Sequence, residues 1–209
     1  MADCCSGACD TGRAPDPRYR KVLWLALMVN AVMLLVEVVA SMQADSASLL
    51  ADSMDFLGDA ANYAVSLFVL ALAPVWRSRT AYAKGIVMGV FGLAVLARAL
   101  WTGVGGHVPQ AQTMGVIGIL ALVANGVVAG WLYAFRQGDA NMRSVWLCTR
   151  NDMIGNCAVL LAALGVFGTS AAWPDIVVAS VMAVLGLSAA REVIGHARQE
   201  LRGARQRPA

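Results

Sequence analysis

Residues 21–42 read KVLWLALMVNAVMLLVEVVASM, an apolar stretch in which Glu37 is the only ionisable side chain after Lys21. A helix needs about 20 consecutive apolar residues to cross the hydrocarbon core of a bilayer, so this stretch predicts a membrane-spanning helix. Breaks that contain Gly, Pro or Gln separate it from five more such stretches, at about 48–73, 82–104, 113–135, 143–167 and 173–194. The sequence therefore predicts an all-α, polytopic membrane protein built as a bundle of six transmembrane helices.

The composition agrees with a membrane protein. Hydrophobic residues make up 59% of the chain and charged residues 14%, with a mean hydropathy of +0.64, whereas a soluble domain carries about 25% charged residues. Six spans use most of the 209 residues. The expected organisation is a Cys-containing tail at 1–20, a transmembrane domain at 21–194 and a short basic tail at 195–209. Basic residues flank the spans instead of forming one patch, so no nucleic acid is expected as a partner.

The Lys and Arg residues predict the orientation of the spans. Of the 16 basic residues, fourteen lie in the N-terminal flank, the second and fourth loops and the C-terminal tail, and the first, third and fifth loops have none. Cytoplasmic loops carry the excess of Lys and Arg. We therefore expect a multi-pass protein of the cell (inner) membrane with both termini in the cytosol.

The second span contains three carboxylates, Asp52, Asp55 and Asp59. Spacings of three and four residues place them along one helix face. Each ionisable residue at mid-bilayer costs roughly 2.5–3.5 kcal/mol on insertion scales, which makes such residues candidates for function. Three carboxylates without a cation among them repel one another. Protons, a metal ion or an arginine from another helix must neutralise them; the alternative is a structural polar stripe paired inside the bundle.

The fifth span supplies a second pair, Cys148 and Asp152, again four residues apart. At 1.5 Å per residue, this pair and the pair Asp55–Asp59 both approach the middle of the bilayer from opposite sides, so they can meet. Two such pairs make a tetrahedral site with four ligands, and these four residues are the predicted metal site. Asp52 is a weaker candidate ligand nearer the outer mouth. The alternative for Cys148 is a small apolar filler.

Three further charged residues have structural interpretations. Glu37 and Arg98 both fall in the outer third of their spans, which favours an ion pair between them. Asp175 follows Trp173 and Pro174 at the start of the sixth span, where an acidic residue in the first turn suits the helix dipole.

The N-terminal tail contains Cys4, Cys5 and Cys9 within seven residues of one another. In the cytosol these thiols are expected to be reduced, so metal binding is favoured over a disulfide. The tail is predicted either to collect soft metal ions near the entrance, as a weaker set of ligands, or to be a disordered, reduced segment.

The chain resembles the cation diffusion facilitator family of metal transporters over about residues 21 to 194. The resemblance is carried by Asn30 and Glu37, by SLLADSMDFLGD at 48–59 and by DMIGN at 152–156. It implies a His/Asp-x-x-x-Asp pair on each of helices two and five, which together bind one divalent ion that is exchanged for protons, and it implies a homodimer.

Asp55 and Asp59 match the first pair. Cys148 departs from the second, where the family usually has His or Asp. About fifteen residues follow helix six, so we expect a short form without the family's cytosolic C-terminal domain.

The predicted function is proton-coupled efflux of a divalent cation. Metal ligands must be deprotonated, so metal binding releases protons and protonation expels the metal. Three oxygens and one sulfur suit Zn²⁺, with Cd²⁺ and Co²⁺ as the other candidate substrates; no cofactor is expected. The alternatives are a non-transporting metal sensor or accessory subunit, and a proton-coupled carrier of a non-metal substrate. An enzyme is not expected, because four protein ligands leave no open coordination position on the metal.

Overall fold

The computed structural model of the protein describes residues 17–69, 74–135 and 140–205; within these ranges the side chains of residues 69, 74, 75, 77, 140–148, 151 and 203–205 lie outside the description. Within these ranges the chain forms six α-helices and no strand, which confirms the predicted fold class. The helices are α1 (Pro17–Ala44), α2 (Ala47–Ala64), α3 (Pro74–Gly105), α4 (Ala111–Tyr133), α5 (Ala140–Thr169) and α6 (Trp173–Arg205), and α2 continues into a π-helical turn at Val65–Val69.

The distribution of polarity over the bundle is the reverse of that in a soluble protein. Large apolar side chains point outward, among them Leu35, Phe167 and Val104, which is 89% exposed. Polar side chains such as Asn30 and Asn156 lie fully inside. Five helices, all except α2, are long and apolar enough to cross a membrane. An apolar outer surface is stable only against lipid, so the chain is a multi-pass membrane protein.

The three aspartates lower the hydropathy of α2, and this helix occupies the centre of the bundle. It contacts α1, α3, α5 and α6, while α3 packs along α6 and α4 packs against α1 and α5. Alanine side chains allow α1 and α5 to approach α2 closely: Leu49 of α2 lies in one buried cluster with Ala40 of α1 and Ala162 of α5. The surrounding helices thus shield from lipid a helix that could not face lipid itself.

Asp175 holds the outer end of α2 against α6. One carboxylate oxygen accepts hydrogen bonds from the Ser46 hydroxyl (2.6 Å) and the Ser48 amide (3.0 Å), and the other accepts one from the Ala47 amide (2.8 Å). Ser46 itself caps the helix by accepting from the Leu49 amide. Asp175 lies in the first turn of α6, as predicted. It also satisfies the first amides of α2, a role across helices that the sequence did not indicate.

The predicted ion pair between Glu37 and Arg98 is wrong. Arg98 instead forms an ion pair with Asp45, in the turn between α1 and α2. Glu37 lies eight residues before Asp45, about 12 Å deeper along the helix axis, and it is fully buried. The guanidinium of Arg98 is partly exposed, so it remains near the outer surface and neutralises the carboxylate that lies there.

Candidate metal-transport site

The carboxylate of Asp59 lies at the centre of the site. It is 3% exposed, and its Oδ2 atom accepts hydrogen bonds from the Tyr63 hydroxyl (2.7 Å) and from the Thr149 hydroxyl (3.1 Å). Tyr63 follows Asp59 by one turn of α2, and Thr149 reaches it from α5. Both hydroxyls are buried. The carboxylate therefore has a fixed orientation, with Oδ2 turned toward the two donors.

The two hydroxyls are also within 2.7 Å of each other. Each hydroxyl has only one proton to donate, so at most two of the three contacts among Asp59, Tyr63 and Thr149 are hydrogen bonds at one time. When Asp59 carries its negative charge, both protons point toward it, because a charged acceptor makes the stronger bond. The arrangement can therefore respond to the charge on Asp59 by rotating one hydroxyl.

The structure brings Asp152 of α5 to Asp59 of α2, and the two carboxyl groups lie within hydrogen-bonding distance of each other. Each residue is twelve positions into its helix, which corresponds to about 18 Å along the axis. Because the two helices are antiparallel, the pair meets in the middle of the bundle. Two carboxyl groups this close repel each other when both are charged. A proton or a cation must therefore lie between them.

Asp55 also faces α5, one turn farther from the cytosolic end. Its Oδ2 atom lies 3.1 Å from the point that a Cβ atom on Gly155 would occupy, so the absence of a side chain at Gly155 makes room for this carboxylate. Among the described side chains, no three of His, Cys, Asp and Glu converge closely enough to hold a metal ion. The side chain of Cys148, the remaining predicted ligand, lies outside the description, as do Cys4, Cys5 and Cys9 of the tail.

Asp52 does not join Asp59. It lies seven residues earlier, on the same helix face but two turns outward, and its carboxyl group pairs with that of Glu37 on α1. Both side chains are fully buried. Among the described residues, no hydroxyl or N–H group donates a hydrogen bond to any of their four oxygens. The structure thus contains two levels of paired carboxyl groups, Asp59 with Asp152 and Glu37 with Asp52.

Sequence reasoning missed Tyr63 and Thr149 as partners of Asp59. The signal for Tyr63 was present, because it follows Asp59 by four residues and so lies on the same face of α2. Thr149 precedes Asp152 by three residues, which places it on the same face of α5. Neither residue type is a metal ligand, and a search limited to ligands passes over the groups that orient them.

The comparison with protein families identifies one match. The model of the cation efflux transmembrane domain matches residues 23–201, which is most of the chain. No individual curated protein matches the chain significantly. The family match covers all six helices and both halves of the carboxylate pair at mid-bundle, Asp59 and Asp152. Members of this family are transporters rather than enzymes. The chain belongs to the cation diffusion facilitator family of cation efflux proteins.

Proposed function

We propose that this protein exports Zn²⁺ from the cytosol in exchange for protons, through a site formed by Asp55, Asp59, Cys148 and Asp152. The observation that carries the proposal is the meeting of Asp59 and Asp152 at mid-depth in a bundle whose outer surface is apolar. Two antiparallel helices each bring a carboxyl group to the same point. A stable protein has no structural need for two buried carboxyl groups in contact, since each charge costs free energy.

Charge supports the exchange of metal for protons. Three carboxylates and one thiolate carry up to four negative charges, twice what a divalent ion neutralises. When no metal is bound, protons must replace it, because uncompensated charges in a low-dielectric interior are unfavourable by several kcal/mol each. Metal binding therefore releases protons, and reprotonation from the other side of the membrane expels the metal.

The donors around Asp59 support the same exchange. Tyr63 and Thr149 stabilise the charged form of Asp59, which is the form that binds metal. Second-shell donors of this kind typically contribute 10–100-fold to metal affinity. Lys84 of α3 acts in the same direction. Its ammonium donates a hydrogen bond to Asn62 on α2, and its positive charge stabilises the negative charge on Asp59.

The thiol at position 148 supports a borderline-soft substrate. Thiolate ligands select Zn²⁺ and related ions over Mg²⁺, Ca²⁺ and Mn²⁺, which favour oxygen. Cd²⁺ and Co²⁺ are the alternative substrates. We propose that the chain lies in the cell (inner) membrane with both termini in the cytosol, that the substrate enters from the cytosol, and that the chain works as a homodimer. Cys4, Cys5 and Cys9 would then collect metal at the entrance.

Transport by the purified chain in proteoliposomes tests this function. Uptake of Zn²⁺, Cd²⁺, Co²⁺, Mn²⁺ and Mg²⁺ is measured at two opposite pH gradients. We expect Zn²⁺ uptake that accelerates when protons can flow against the metal and that is lost in Asp59→Ala. Asp45→Ala is the matched control, because it removes an aspartate that pairs with Arg98 at the outer surface. Proton flux without metal, or metal binding without flux, would contradict the proposal.

A further inference from the structure

We propose that Glu37, Asp52 and Asn156 form a second, oxygen-only divalent-cation site, one to two helical turns outward from the transport site. The inference rests on the proposed function only for its role, which is to receive the ion on its way out. Its ligands come from α1, α2 and α5. They are separate from Cys148 and from the pair Asp59–Asp152.

Glu37 and Asp52 are both fully buried, and within the part of the chain that the structure describes their carboxyl groups lack a hydrogen-bond donor. Among the described residues, neither Glu37 nor Asp52 accepts a hydrogen bond from a hydroxyl or N–H group. Their other possible counter-charge at this end of the bundle, Arg98, is bound to Asp45 nearer the surface. One shared proton neutralises only one of two carboxylates. A divalent cation neutralises both.

Asn156 is the second, independent observation. Its side chain is fully buried, and neither its amide oxygen nor its amide nitrogen has a hydrogen-bond partner among the described residues. It follows Thr149 by seven residues, two turns of α5, so it points in the same direction as Thr149, toward α2. A buried amide left unsatisfied costs about 1–3 kcal/mol. An amide oxygen is also a ligand that divalent cations accept.

Gly155 allows the backbone of α5 to lie close to the carboxylates at this level. A Cβ atom there would lie 3.8 Å from Asp52 Oδ1 and 3.1 Å from Asp55 Oδ2, so the backbone of α5 borders both carboxylates without a side chain between them. Asp55 belongs to the transport site and lies between the two levels along α2. An ion that leaves Asp59 toward the outside thus meets Asp55 first and the pair Glu37–Asp52 next.

The two sites differ in their ligand atoms, and therefore in how tightly they hold Zn²⁺. The transport site contains a thiolate and selects Zn²⁺, whereas carboxylate and amide oxygens also bind Mn²⁺. An oxygen-only site holds Zn²⁺ more weakly than a site with sulfur. An ion therefore leaves the outer site more easily than the inner one, as release to the outside requires.

Metal counting in the purified full-length chain tests the proposal. Cys4, Cys5 and Cys9 are replaced by Ser so that the tail does not contribute, and bound Zn²⁺ is measured at saturation by equilibrium dialysis. We expect about two Zn²⁺ per chain, and about one in the double variant Glu37→Gln/Asp52→Asn. The double variant should also lose at least about tenfold in Mn²⁺ affinity, whereas Cys148→Ser should leave Mn²⁺ binding unchanged.

Asp175→Asn is the matched control, since it neutralises a buried aspartate whose hydrogen bonds are satisfied, and it should leave the count unchanged. Unfolding temperature without metal serves as the folding measurement: the double variant removes the buried charge that the shared proton leaves unneutralised, and it should unfold no earlier than the parent. An unchanged count in the double variant overturns the second site. If the parent carries Zn²⁺ across liposomes but binds only one ion, the second site fails and the proposed function stands. If it binds two ions and carries none, the proposed function fails.

Discussion

Tyr63→Phe isolates the contribution of a single hydroxyl to the charge state of Asp59. The substitution removes a hydrogen bond of 2.7 Å to a buried carboxylate and keeps the ring, which is fully buried against Leu23 and Val128 among other apolar side chains. Hydrogen bonds to charged groups contribute about 1.5–3 kcal/mol. Thr149 still donates to the same oxygen at 3.1 Å, so we expect the lower part of that range, about 1.5–2 kcal/mol, or roughly 10–30-fold in affinity.

The size of this loss should depend on pH. Where Asp59 is protonated in the empty site, metal binding must first ionise it, and the missing hydrogen bond weakens binding by its full value. At higher pH the carboxylate is charged both before and after the metal binds. The missing bond then affects both states, and most of the effect cancels. We therefore expect the ratio of wild-type to variant affinity to fall as the pH rises.

Zn²⁺ titration of the purified protein at several pH values measures this ratio. Tyr82→Phe is the matched control, because it removes a phenol hydroxyl that accepts a hydrogen bond from Arg198 on the neighbouring α6, away from Asp59. A Tyr63→Phe affinity within about threefold of wild type at every pH would refute the reasoning, since it would mean that the bond does not act on the metal-binding form. A loss that grows with pH would refute it as well.

Three further predictions concern other parts of the molecule. Asp175→Ala removes three hydrogen bonds from the outer end of α2 and should lower the free energy of unfolding by roughly 2–4 kcal/mol; an unfolding curve in detergent that matches wild type would contradict this role. Cys148→Ser should lower Zn²⁺ and Cd²⁺ transport relative to Mn²⁺, because an alcohol replaces a soft ligand; an unchanged substrate profile in proteoliposomes would show that the thiol does not bind metal. Lys84→Met removes a positive charge that stabilises the charged form of Asp59 and should weaken Zn²⁺ binding by up to about tenfold, in titrations at low salt and at a pH where Asp59 is protonated in the empty site; tighter binding would mean that repulsion between Lys84 and the metal ion outweighs this effect.

The helices could be predicted well from hydropathy, because an apolar stretch that crosses lipid has to be helical. Backbone groups in lipid must be paired within a helix, so a stretch such as residues 113–135 admits one structure, and α4 was found at Ala111–Tyr133. The ends were predicted less well. The sixth span was expected to end near 194, and α6 continues to Arg205 as a charged helix. Hydropathy marks where lipid ends and does not mark where a helix ends.

The pairing of charges was harder to predict from the sequence. The meeting of Asp59 and Asp152 was expected from depth alone, since helix rise converts residue number into height. Depth does not determine which helices are neighbours or how each is rotated. Glu37 was assigned to Arg98 because both lie in the outer third, whereas Glu37 faces Asp52 on α2 and Arg98 reaches Asp45. The cap from Asp175 to α2 was missed for the same reason, because it joins two helices that are far apart in the sequence.

The two ends of α2 differ in a way that bears on transport. The outer end is held by the Asp175 carboxylate, by the Ser46 cap and by the backbone bond from Gln110 to Ala44 next to it. The inner end passes into a π-helical turn directly after Tyr63 and Ala64. Such turns are rare and occur often at functional sites. Asp59 lies six residues, less than two turns, before this irregular segment. We therefore expect opening of the site toward the π-helical end of α2 to require less disruption than opening toward the other end, where the three hydrogen bonds to Asp175 would have to break or move together with α6.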